Sequence, residues 1–407
     1  MNCRGCGSQT LISFIDLGST PIANSLLDYK EQVLSEKSFP LHPMTCLFCG
    51  FVQLPNNHSE DEIFTRDYVY FSSYSSSWLS HSEKYAFSMI QELGLGKDDL
   101  VIEVASNDGY LLQYFAEKDI RVLGIEPSSG VADVAIKKGI ETRIDFFGEE
   151  TALKLRKAGY LPKLMAANNV LAHVPDINNF ILGFSIMLDE NGVATFEFPL
   201  LMNLIKNFQF DTIYHEHYSY LSLTSLIPIF EKNGLKVFDV THLDTHGGSV
   251  RLFVSKNNST RKISESIQDL LDEEKKFDPR NLEVIALFKS NVSKIKLDLI
   301  DELEQLRSKS KKVAAYGAAA KGNTILNFCG ITSIDINYVV DLNPNKQWKF
   351  MPGSGIPIVD EQVLIDSPPD VLLILPWNLS TEIKHQLKYL EKSGTKFLRA
   401  IPKLEYF

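Results

Sequence analysis

The sequence predicts an α/β protein built from two parallel sheets and preceded by a small metal-binding module. Three observations lead to this fold class. Four cysteines form two close pairs near the N-terminus. Short apolar strands then alternate with helical segments from about residue 79, a pattern typical of a parallel sheet covered by helices. The same alternation resumes after a long charged, amphipathic segment at 262–310.

The composition excludes several classes of protein. The chain has 407 residues with 41 basic and 51 acidic side chains, which gives a formal net charge of −10. A nucleic-acid binder or a protein that attaches to anionic membranes would carry a basic excess. No apolar run approaches the roughly 20 residues that span a bilayer, and the N-terminus lacks the apolar core of a secretory signal. We therefore expect a cytoplasmic protein without a nucleic-acid or membrane partner.

The paired cysteines predict a structural zinc site. In a reducing compartment, two C-x2-C pairs indicate metal ligands before they indicate disulfides. The motifs CRGC and CLFC supply four thiolates, which leave no open coordination position on zinc for catalysis. Two separate redox C-x2-C sites are the alternative. The predicted zinc ligands are Cys3, Cys6, Cys46 and Cys49, and the fifth cysteine, Cys329, is expected in the apolar core.

The strand–turn–helix sequence EVASNDGY at 103–110 predicts a cofactor site. An acid at the end of a strand, a turn of small residues and a helix start together form a cradle for an adenosyl group. Ala105, Asn107 and Gly109 stand where a dinucleotide-binding turn has three glycines. A pyrophosphate needs the close approach that those glycines permit, whereas S-adenosylmethionine has no phosphate. The turn therefore favours S-adenosylmethionine, with an NAD-binding domain as the alternative.

A second acid, Glu126, is expected to bind the ribose of this cofactor. It lies in the segment GIEPS, 23 residues after Glu103, at the end of the second predicted strand. A carboxylate at that point can accept hydrogen bonds from both ribose hydroxyls, each worth about 1.5–3 kcal/mol. The segment NNVLAHVPD at 168–176 falls where a fourth strand would meet the same site.

Several motifs along the whole chain occur together in one enzyme family. They are CRGC with CLFC, YFSSYSSSW, EVASNDG, GIEPS, NNVLAHVPD, YHEHYSYLS, THGGSVR, YGAAAKGNT and VVDLNPNKQWKFMPGSGIPI. With these motifs in this order, the chain resembles the S-adenosylmethionine-dependent C-methyltransferases that act on nucleotide-linked keto-deoxysugars. The resemblance implies an N-terminal zinc-binding module, a central Rossmann-like methyltransferase domain and a smaller C-terminal Rossmann-like α/β domain.

The family resemblance also implies the residues of the cofactor site and a catalytic base. The base that the family uses corresponds to His217, with Tyr214 and Glu216 beside it, and His173 matches a further active-site histidine. The expected cofactor-binding residues are Tyr70, Ser73, Glu103, Ala105, Asn107, Gly109, Glu126, Pro127, Asn168 and Asn169.

The segment YHEHYSY at 214–220 has side chains suited to such a reaction. Methylation of a carbon next to a ketone needs a base that removes the α proton, and a histidine with an ordinary pKa of about 6.5 is suited to that role. A tyrosine or a second histidine can donate a hydrogen bond to the enolate oxygen. Taken without the family, the segment could equally be a metal site or a solvated aromatic loop. His215 and Tyr218 are expected to be structural.

Two further segments are suited to a substrate that carries a diphosphate. THGGSVR at 245–251 combines a histidine, two glycines and an arginine, and YGAAAKGN at 316–323 predicts a strand, a tight turn and a helix N-terminus. The second segment could also be a degenerate dinucleotide site, with Asp341 at the ribose position, or a simple α/β turn. MPGSGIPI at 351–358 is expected to close over the site. The predicted substrate-binding residues are His246, Gly247, Arg251, Lys321 and Asn323.

These predictions divide the chain into three domains. Residues 1–66 form the zinc-binding domain, 67–254 the methyltransferase domain, and 255–407 a Rossmann-like domain that contributes to nucleotide-sugar binding. The expected activity is transfer of a methyl group from S-adenosylmethionine to the carbon α to the ketone of a dTDP- or GDP-linked keto-deoxysugar. A non-catalytic nucleotide-sugar-binding scaffold in polysaccharide assembly and an NAD-dependent sugar-nucleotide oxidoreductase are the alternatives.

Overall fold

The computed structural model describes residues 1–55 and 71–407, and the chain forms two compact units. Each unit is assembled from segments that are distant in the sequence. The first unit contains Met1–Leu11, Cys46–Leu200 and Tyr218–Lys276, and the second contains Ile12–Thr45, Leu201–His217 and Phe277–Phe407.

The described residues form short strands and mostly short helices. The strands are β1 (Leu11–Ser13), β2 (Ser19–Thr20), β3 (Phe39–Pro40), β4 (Met44–Cys46), β5 (Val52–Gln53), β6 (Leu100–Val104), β7 (Arg121–Ile125), β8 (Thr142–Arg143), β9 (Leu164–Asn168), β10 (Val193–Pro199), β11 (Ser219–Tyr220), β12 (Leu235–Leu243), β13 (Ser249–Lys256), β14 (Val313–Tyr316), β15 (Val339–Val340), β16 (Ile358–Val359), β17 (Val371–Ile374), β18 (Lys396–Arg399) and β19 (Glu405–Tyr406). The helices are α1 (Ser76–Leu93), α2 (Leu112–Ala116), α3 (Ser129–Lys137), α4 (Glu149–Lys157), α5 (Ile177–Met187), α6 (Leu201–Lys206), α7 (Leu223–Lys232), α8 (Glu265–Glu274), α9 (Leu282–Ser308), α10 (Ala320–Cys329), α11 (Gln362–Asp366) and α12 (Ser380–Gln386).

The main sheet of the first unit carries the predicted cofactor segments. Among residues that the structure describes, its strand order is β12-β13-β10-β9-β6-β7-β8. The strands from β10 to β8 are parallel, whereas β13 and β12 join as an antiparallel edge that the sequence did not predict. The chain goes from β6 to β7 on one side and later to β9 on the other. The crevice outside the carboxyl ends of β6 and β9 is therefore the topological switch point, where α/β sheets bind ligands.

Apolar side chains hold this sheet against its helices. The central strand β6 is buried along its whole length, as a strand covered on both faces should be. Phe115 of α2 and Met89 of α1 pack with Val101 of β6 in one buried cluster. The N-terminus of α1 is fixed by Ser75, whose hydroxyl accepts a hydrogen bond from the Trp78 N–H at 3.2 Å. This cap determines where the first turns of α1 present their side chains.

The second unit contains a smaller sheet with a similar topology. In the described part of the chain its strand order is β16-β15-β14-β17-β18-β19, parallel except for β19. The first strand, β14, is again central, so a second switch point lies between β14 and β17. The strands and the helix predicted from KKVAAYG, GNTILNF, INYVVD, PDVLLILP and KFLRAI are all present. The expectation of two Rossmann-like α/β sheets is confirmed.

Candidate active site

The four paired cysteines converge on one point of the first unit. The Sγ atoms of Cys3, Cys6, Cys46 and Cys49 all lie within 4.8 Å of one another, and the pairs Cys3–Cys49 and Cys6–Cys46 are 3.6 Å apart. Four sulfurs around zinc at about 2.3 Å would be separated by about 3.8 Å, so this donor set fits a tetrahedral zinc ion. In the metal-free cluster the contact between Cys3 and Cys49 lowers the pKa of Cys3 and raises the pKa of Cys49.

The predicted cofactor turn after β6 has an unusual backbone. Ala105, Asn107 and Gly109 have φ angles of 58°, 48° and 78°, in the left-handed region that glycine adopts most easily. For residues with a Cβ this conformation costs about 1–3 kcal/mol and persists where the surroundings impose it. The sequence therefore keeps the glycine-type turn without the glycines.

Two acids define the ends of this cradle. Glu103, at the end of β6, is fully buried, and burial raises its pKa well above the usual range. Glu126 follows β7, and its carboxylate accepts hydrogen bonds from the N–H groups of Asn107 at 3.0 Å and Ser128 at 2.8 Å. Burial raises the pKa of Glu126 to about 6, although these two donors oppose the rise. Glu126 thus links the turn after β6 to the residues that precede α3. Pro127 is one of those residues.

Polar groups around the cradle fit a polar ligand. Asn168 ends β9, and the next residue, Asn169, has a φ of 54°. The side-chain amide of Asn169 is buried, and neither its oxygen nor its nitrogen has a hydrogen-bond partner among residues 1–55 and 71–407. The same holds for one carboxylate oxygen of Asp108. Buried polar groups are normally hydrogen-bonded, so these atoms fit the amino, carboxyl and hydroxyl groups of S-adenosylmethionine.

The segment before α1 is fastened to the cradle. The Ser72 N–H donates a hydrogen bond to Asn107 Oδ1 at 2.9 Å. Lys138 Nζ donates to Ser73 Oγ at 3.0 Å and to the carbonyl oxygen of Asp108 at 2.9 Å. Lys138 therefore connects Ser73 to the turn. Tyr70, the other residue expected from this motif, lies outside the described residues.

His173 lies on the same edge of the sheet. It ends a single 3-10 turn, Leu171–His173, that follows β9 and Asn169. The His173 N–H donates to the carbonyl oxygen of Val170 at 2.7 Å, which fixes the backbone at this point. The side chain is partly buried.

A buried ionic cluster, here called the Glu197 cluster, lies at the antiparallel edge of the sheet. Glu197 of β10 has no exposed surface and pairs across the strands with Arg251 of β13, whose guanidinium donates to it. His81 Nε2 lies 3.0 and 2.9 Å from the two carboxylate oxygens, and Thr245 Oγ1 donates to one of them at 3.0 Å. Burial by itself would raise the pKa of Glu197, but His81 and Arg251 outweigh it and hold the pKa below its usual range.

The Glu197 cluster changes how the segment THGGSVR is understood. Arg251, predicted to bind a substrate phosphate, is 7% exposed and stacks 4.1 Å from the centre of the Tyr85 ring. His246 and Gly247 lie in the turn between β12 and β13, and the His246 ring is 5.4 Å from Trp78. Neither Glu197 nor His81 belongs to a motif that is evident in the sequence. The signal for Glu197 was a single charge inside the apolar run ATFEFP.

The predicted catalytic residues belong to the second unit. The Tyr214 hydroxyl lies 2.9 Å from His217 Nε2, and the two rings are 4.0 Å apart at their centres. His217 Nδ1 lies 2.9 Å from the carbonyl oxygen of Thr212. Because a carbonyl oxygen only accepts, Nδ1 carries a proton, and the neutral imidazole has its lone pair on Nε2. Tyr214 therefore donates to Nε2.

Glu216 is held by a residue from the N-terminal part of the chain. The residue is 2% exposed, and Asn24 Nδ2 donates to its two carboxylate oxygens at 2.7 and 2.9 Å. Burial raises the pKa of Glu216 to about 7, although Asn24 and the charge of Lys346 oppose the rise. His215, expected to be structural, is buried, and its Nε2 lies 3.1 Å from the carbonyl oxygen of Phe39.

The segment around Tyr214 is anchored within the second unit. The Trp377 indole donates to the buried carboxylate of Asp211 at 2.7 Å. Thr324 of α10 donates its hydroxyl hydrogen to the carbonyl oxygen of Ile213 at 2.8 Å. Burial raises the pKa of Asp211 to about 6, while Lys321 and Trp377 oppose the rise. These contacts fix the residues that precede Tyr214 against the small sheet.

Polar groups in and around the turn after β14 already form hydrogen bonds within the chain. Lys321 donates to Asn378 Oδ1 at 2.8 Å, and its Nζ is 4.7 Å from the centre of the Trp377 ring. Asp341, predicted at a ribose position, accepts the Ala318 N–H at 2.8 Å. Asn323 is 1% exposed, and its Oδ1 has no partner within the described part of the chain.

The loop 351–358 is also tied down within the second unit. Asn327 Nδ2 donates to the carbonyl oxygen of Pro352 at 3.0 Å, and Glu36 accepts the Gly353 N–H at 2.8 Å. Gly353 has a φ of 71°, and a Cβ at this position would lie 1.9 Å from Asn327 Oδ1. Cys329 is buried, as expected. Among the described residues, no helix is long and apolar enough to cross a membrane.

Comparisons with known proteins identify the family. Residues 3–64 match the family model "Putative zinc binding domain", 78–240 match "Methyltransferase domain" and 244–402 match "C-methyltransferase C-terminal domain". The chain is 33% identical over 400 residues to C-methyltransferase NovU of Streptomyces niveus, an alignment that covers 98% of this chain and 95% of that protein.

Two solved structures are similar to part of the chain. One is an S-adenosylmethionine-dependent methyltransferase from Clostridium acetobutylicum, with a TM-score of 0.35 and 13% identity, covering 43% of this chain and 90% of that one. The other is the magnesium protoporphyrin IX methyltransferase of Synechocystis with bound SAM, with a TM-score of 0.36 and 14% identity, covering 50% of this chain and 100% of that one.

The family matches run through all three parts of the chain, and they agree with the four converging thiols and the cradle at the carboxyl edge of the first sheet. They favour the methyltransferase over the scaffold and the NAD-dependent oxidoreductase that the sequence left open. The chain belongs to the C-methyltransferases that carry an N-terminal zinc-binding domain, and it is an S-adenosylmethionine-dependent enzyme.

Proposed function

We propose that this C-methyltransferase acts on the carbon α to the ketone of a nucleotide-linked keto-deoxysugar, with His217 as the base. The observation that carries the proposal is the pair of contacts made by the His217 ring. Nδ1 donates to the Thr212 carbonyl at 2.9 Å, so the basic lone pair belongs to Nε2. Tyr214 lies 2.9 Å from that same atom. A base and a hydroxyl donor are thereby paired, as enolate formation requires.

The proton transfer follows from this arrangement. The α proton of the substrate moves to His217 Nε2, and the electron pair of the broken C–H bond becomes the enolate. Tyr214, which donates to Nε2 in the absence of substrate, then has its hydroxyl hydrogen available for the ketone oxygen. S-adenosylmethionine, when bound, would supply the methyl group for the new C–C bond, with its sulfur–methyl bond breaking and that electron pair remaining on the sulfur of the departing thioether. Alignment of the reacting atoms can contribute about 7–11 kcal/mol to such a step.

Glu216 and His173 complete the proposed catalytic set. Glu216, with a pKa of about 7, is held in one orientation by Asn24 and shapes the loop that carries His217. His173 follows Asn169 at the cofactor edge of the first unit and assists there. The zinc takes no part in the reaction, because four thiolates fill its coordination sphere.

We assign cofactor binding to the edge of the sheet that Glu103 and Glu126 define. Glu126 would accept hydrogen bonds from the ribose hydroxyls. The buried side-chain amide of Asn169 would form hydrogen bonds with the cofactor. The full proposed set is Tyr70, Ser73, Glu103, Ala105, Asn107, Gly109, Glu126, Pro127, Asn168 and Asn169. We keep 1–66, 67–254 and 255–407 as the domain boundaries.

Substrate binding is proposed at both glycine-containing turns. The residues are His246, Gly247, Arg251, Lys321 and Asn323. Within this set, Asn323 has a buried Oδ1 that accepts no hydrogen bond from the described residues. Arg251 already pairs with Glu197, so we expect it to act mainly by fixing that edge of the site. A nucleotide sugar as partner, no nucleic acid and a cytoplasmic location remain part of the proposal.

The test is a methyl-transfer assay with labelled S-adenosylmethionine and a panel of dTDP- and GDP-linked 4-keto-6-deoxysugars. The informative variant is His217→Asn, because the asparagine amide can still donate to the Thr212 carbonyl but offers no base at the Nε2 position. His242→Asn, at an exposed position of β12, is the matched control. Transfer of label to carbon by the wild type, with a loss of at least 100-fold in His217→Asn, is expected.

Binding of S-adenosylmethionine to His217→Asn should equal that of the wild type. If the wild type labels no sugar of the panel, the substrate class is wrong. If His217→Asn retains turnover, the base is another residue. Tyr214→Phe should lower the rate while leaving the His217–Thr212 contact intact, which separates the donor from the base.

A further inference from the structure

The first unit also contains a histidine, His81, whose ring orientation is fixed by its neighbours. It lies on the first turns of α1, and its side chain is 21% exposed although its partner Glu197 is fully buried. Its Nε2 contacts both oxygens of Glu197 at 2.9 and 3.0 Å. The ring is stacked on Trp78, with centres 5.0 Å apart and planes 25° from parallel. The Trp78 ring and the Glu197 carboxylate therefore determine both the tilt and the rotation of this imidazole.

The contacts also determine which nitrogen carries the proton. A nitrogen lone pair facing two carboxylate oxygens would be repelled, so Nε2 must be the donor. Arg251 Nη2 lies 3.2 Å from the same nitrogen, but the guanidinium already directs a proton to Glu197. The two Glu197 oxygens at 2.9 and 3.0 Å therefore determine the proton position on Nε2 more strongly than Arg251 Nη2 at 3.2 Å. The neutral ring then has its lone pair on Nδ1, which has no hydrogen-bond partner among residues 1–55 and 71–407.

The position of the Glu197 cluster indicates what Nδ1 is for. Glu197 lies opposite Asn168 in the register of β10 and β9, and its carbonyl oxygen accepts the Asn169 N–H at 2.7 Å. The cluster therefore belongs to the carboxyl edge of the sheet, where ligands of α/β proteins bind. A buried, fully charged Glu197–Arg251 pair is costly to maintain for packing alone. The Glu197–Arg251 pair has a function if it orients the partly exposed imidazole of His81.

We propose that His81 contacts the sugar substrate and accepts a hydrogen bond at Nδ1 from one of its hydroxyl groups, with Glu197 and Arg251 as positioning residues. A neutral acceptor next to an aromatic face suits a polyhydroxylated sugar, because the hydroxyl donates to the nitrogen and the C–H face packs on an aromatic ring. The inference rests on the proposed sugar substrate. It adds a substrate contact that the family motifs quoted above do not contain.

The variant that isolates Nδ1 is His81→Gln. The glutamine amide nitrogen can take the place of Nε2 and still donate to Glu197, but no acceptor remains at the Nδ1 position. His242→Gln is the control, because His242 is an exposed histidine of the same unit. Steady-state kinetics with the sugar nucleotide should show about a tenfold rise in KM and little change in kcat in His81→Gln, as expected for one lost neutral hydrogen bond. The affinity for S-adenosylmethionine, measured by calorimetry, should stay unchanged.

A spectroscopic measurement tests the orientation without substrate. Nitrogen-15 NMR of histidine-labelled, zinc-loaded protein at alkaline pH should show one ring with the Nε2–H tautomer that disappears in His81→Gln. An Nδ1–H tautomer for that ring would overturn the inference. So would unchanged KM in His81→Gln, or a loss of S-adenosylmethionine affinity instead of sugar affinity. A wild type that methylates no sugar overturns the proposed function and this inference together, whereas an active wild type with an unaffected variant overturns this inference alone.

Discussion

Replacing Glu216 with glutamine should change how the stability of the protein depends on pH. The folded protein holds this carboxyl group buried, with a pKa of about 7 in place of the usual 4.5. A raised pKa means that the folded state binds the proton more tightly than the unfolded state does. The free energy of unfolding is therefore highest below pH 4.5 and falls as the pH rises toward 7, because the folded state must then hold a buried charge or bind a proton.

The magnitude follows from the difference between the two pKa values. At about 1.4 kcal/mol for each pH unit, a pKa near 7 rather than 4.5 corresponds to about 3 kcal/mol of stability lost between pH 4 and pH 8. Glutamine has no proton to lose at this position, so Glu216→Gln avoids this cost at high pH. The variant forfeits part of the Asn24 contact at every pH, since a glutamine amide offers one acceptor oxygen in place of two.

The assay is thermal or denaturant unfolding of wild type and Glu216→Gln at several pH values from 4.5 to 8.5, with zinc present throughout. The free energy of unfolding of the variant should rise relative to the wild type by about 3 kcal/mol across this range. Glu304→Gln, on the exposed side of α9, controls for removal of one surface carboxylate. A difference between Glu216→Gln and wild type that stays constant with pH, or that falls, would refute the reasoning.

Three other changes have direct expectations. Cys46→Ser should lower bound zinc below one ion per chain by metal analysis and lower Tm, because structural zinc sites contribute about 10–16 kcal/mol in small peptides. Glu126→Gln should weaken S-adenosylmethionine binding about 10- to 100-fold by calorimetry, since each charged hydrogen bond is worth about 1.5–3 kcal/mol. It should also lower Tm, because an amide NH2 then replaces one of the two oxygens that accept the Asn107 and Ser128 N–H groups. Trp377→Phe removes the donor to buried Asp211 and should cost about 1–3 kcal/mol in urea unfolding, whereas Trp348→Phe at a 68% exposed site should cost much less.

Local patterns were sufficient for the zinc ligands and the strands. The two C-x2-C pairs predicted one four-thiol site, and the four sulfurs do converge. Ala105, Asn107 and Gly109 stand where a dinucleotide-binding turn has glycines, and all three have positive φ angles. These features depend on backbone conformation and on the period of apolar residues, which act over a few residues and are therefore visible in sequence.

The partners of the polar side chains could not be predicted in this way. Asn24 and Glu216 are separated by 192 positions, and Trp377 and Asp211 by 166. Arg251, expected to be available for a phosphate, lies opposite Glu197 because β13 adds to the sheet antiparallel to β10. The sequence contains no local sign of that pairing, since Glu197 and Arg251 are 54 positions apart.

The sequence by itself determined the kind of protein: a C-methyltransferase with a zinc module, two Rossmann-like sheets and a histidine-containing segment at 214–220. Only the tertiary structure decided the proton positions and the pKa values on which the proposed chemistry depends. His217 has its lone pair on Nε2 because of the Thr212 carbonyl, and Glu216 has a pKa of about 7 because it is buried. Residue identity supplies an ionisable group, but its protonation depends on the burial and the hydrogen-bond partners that folding brings to it.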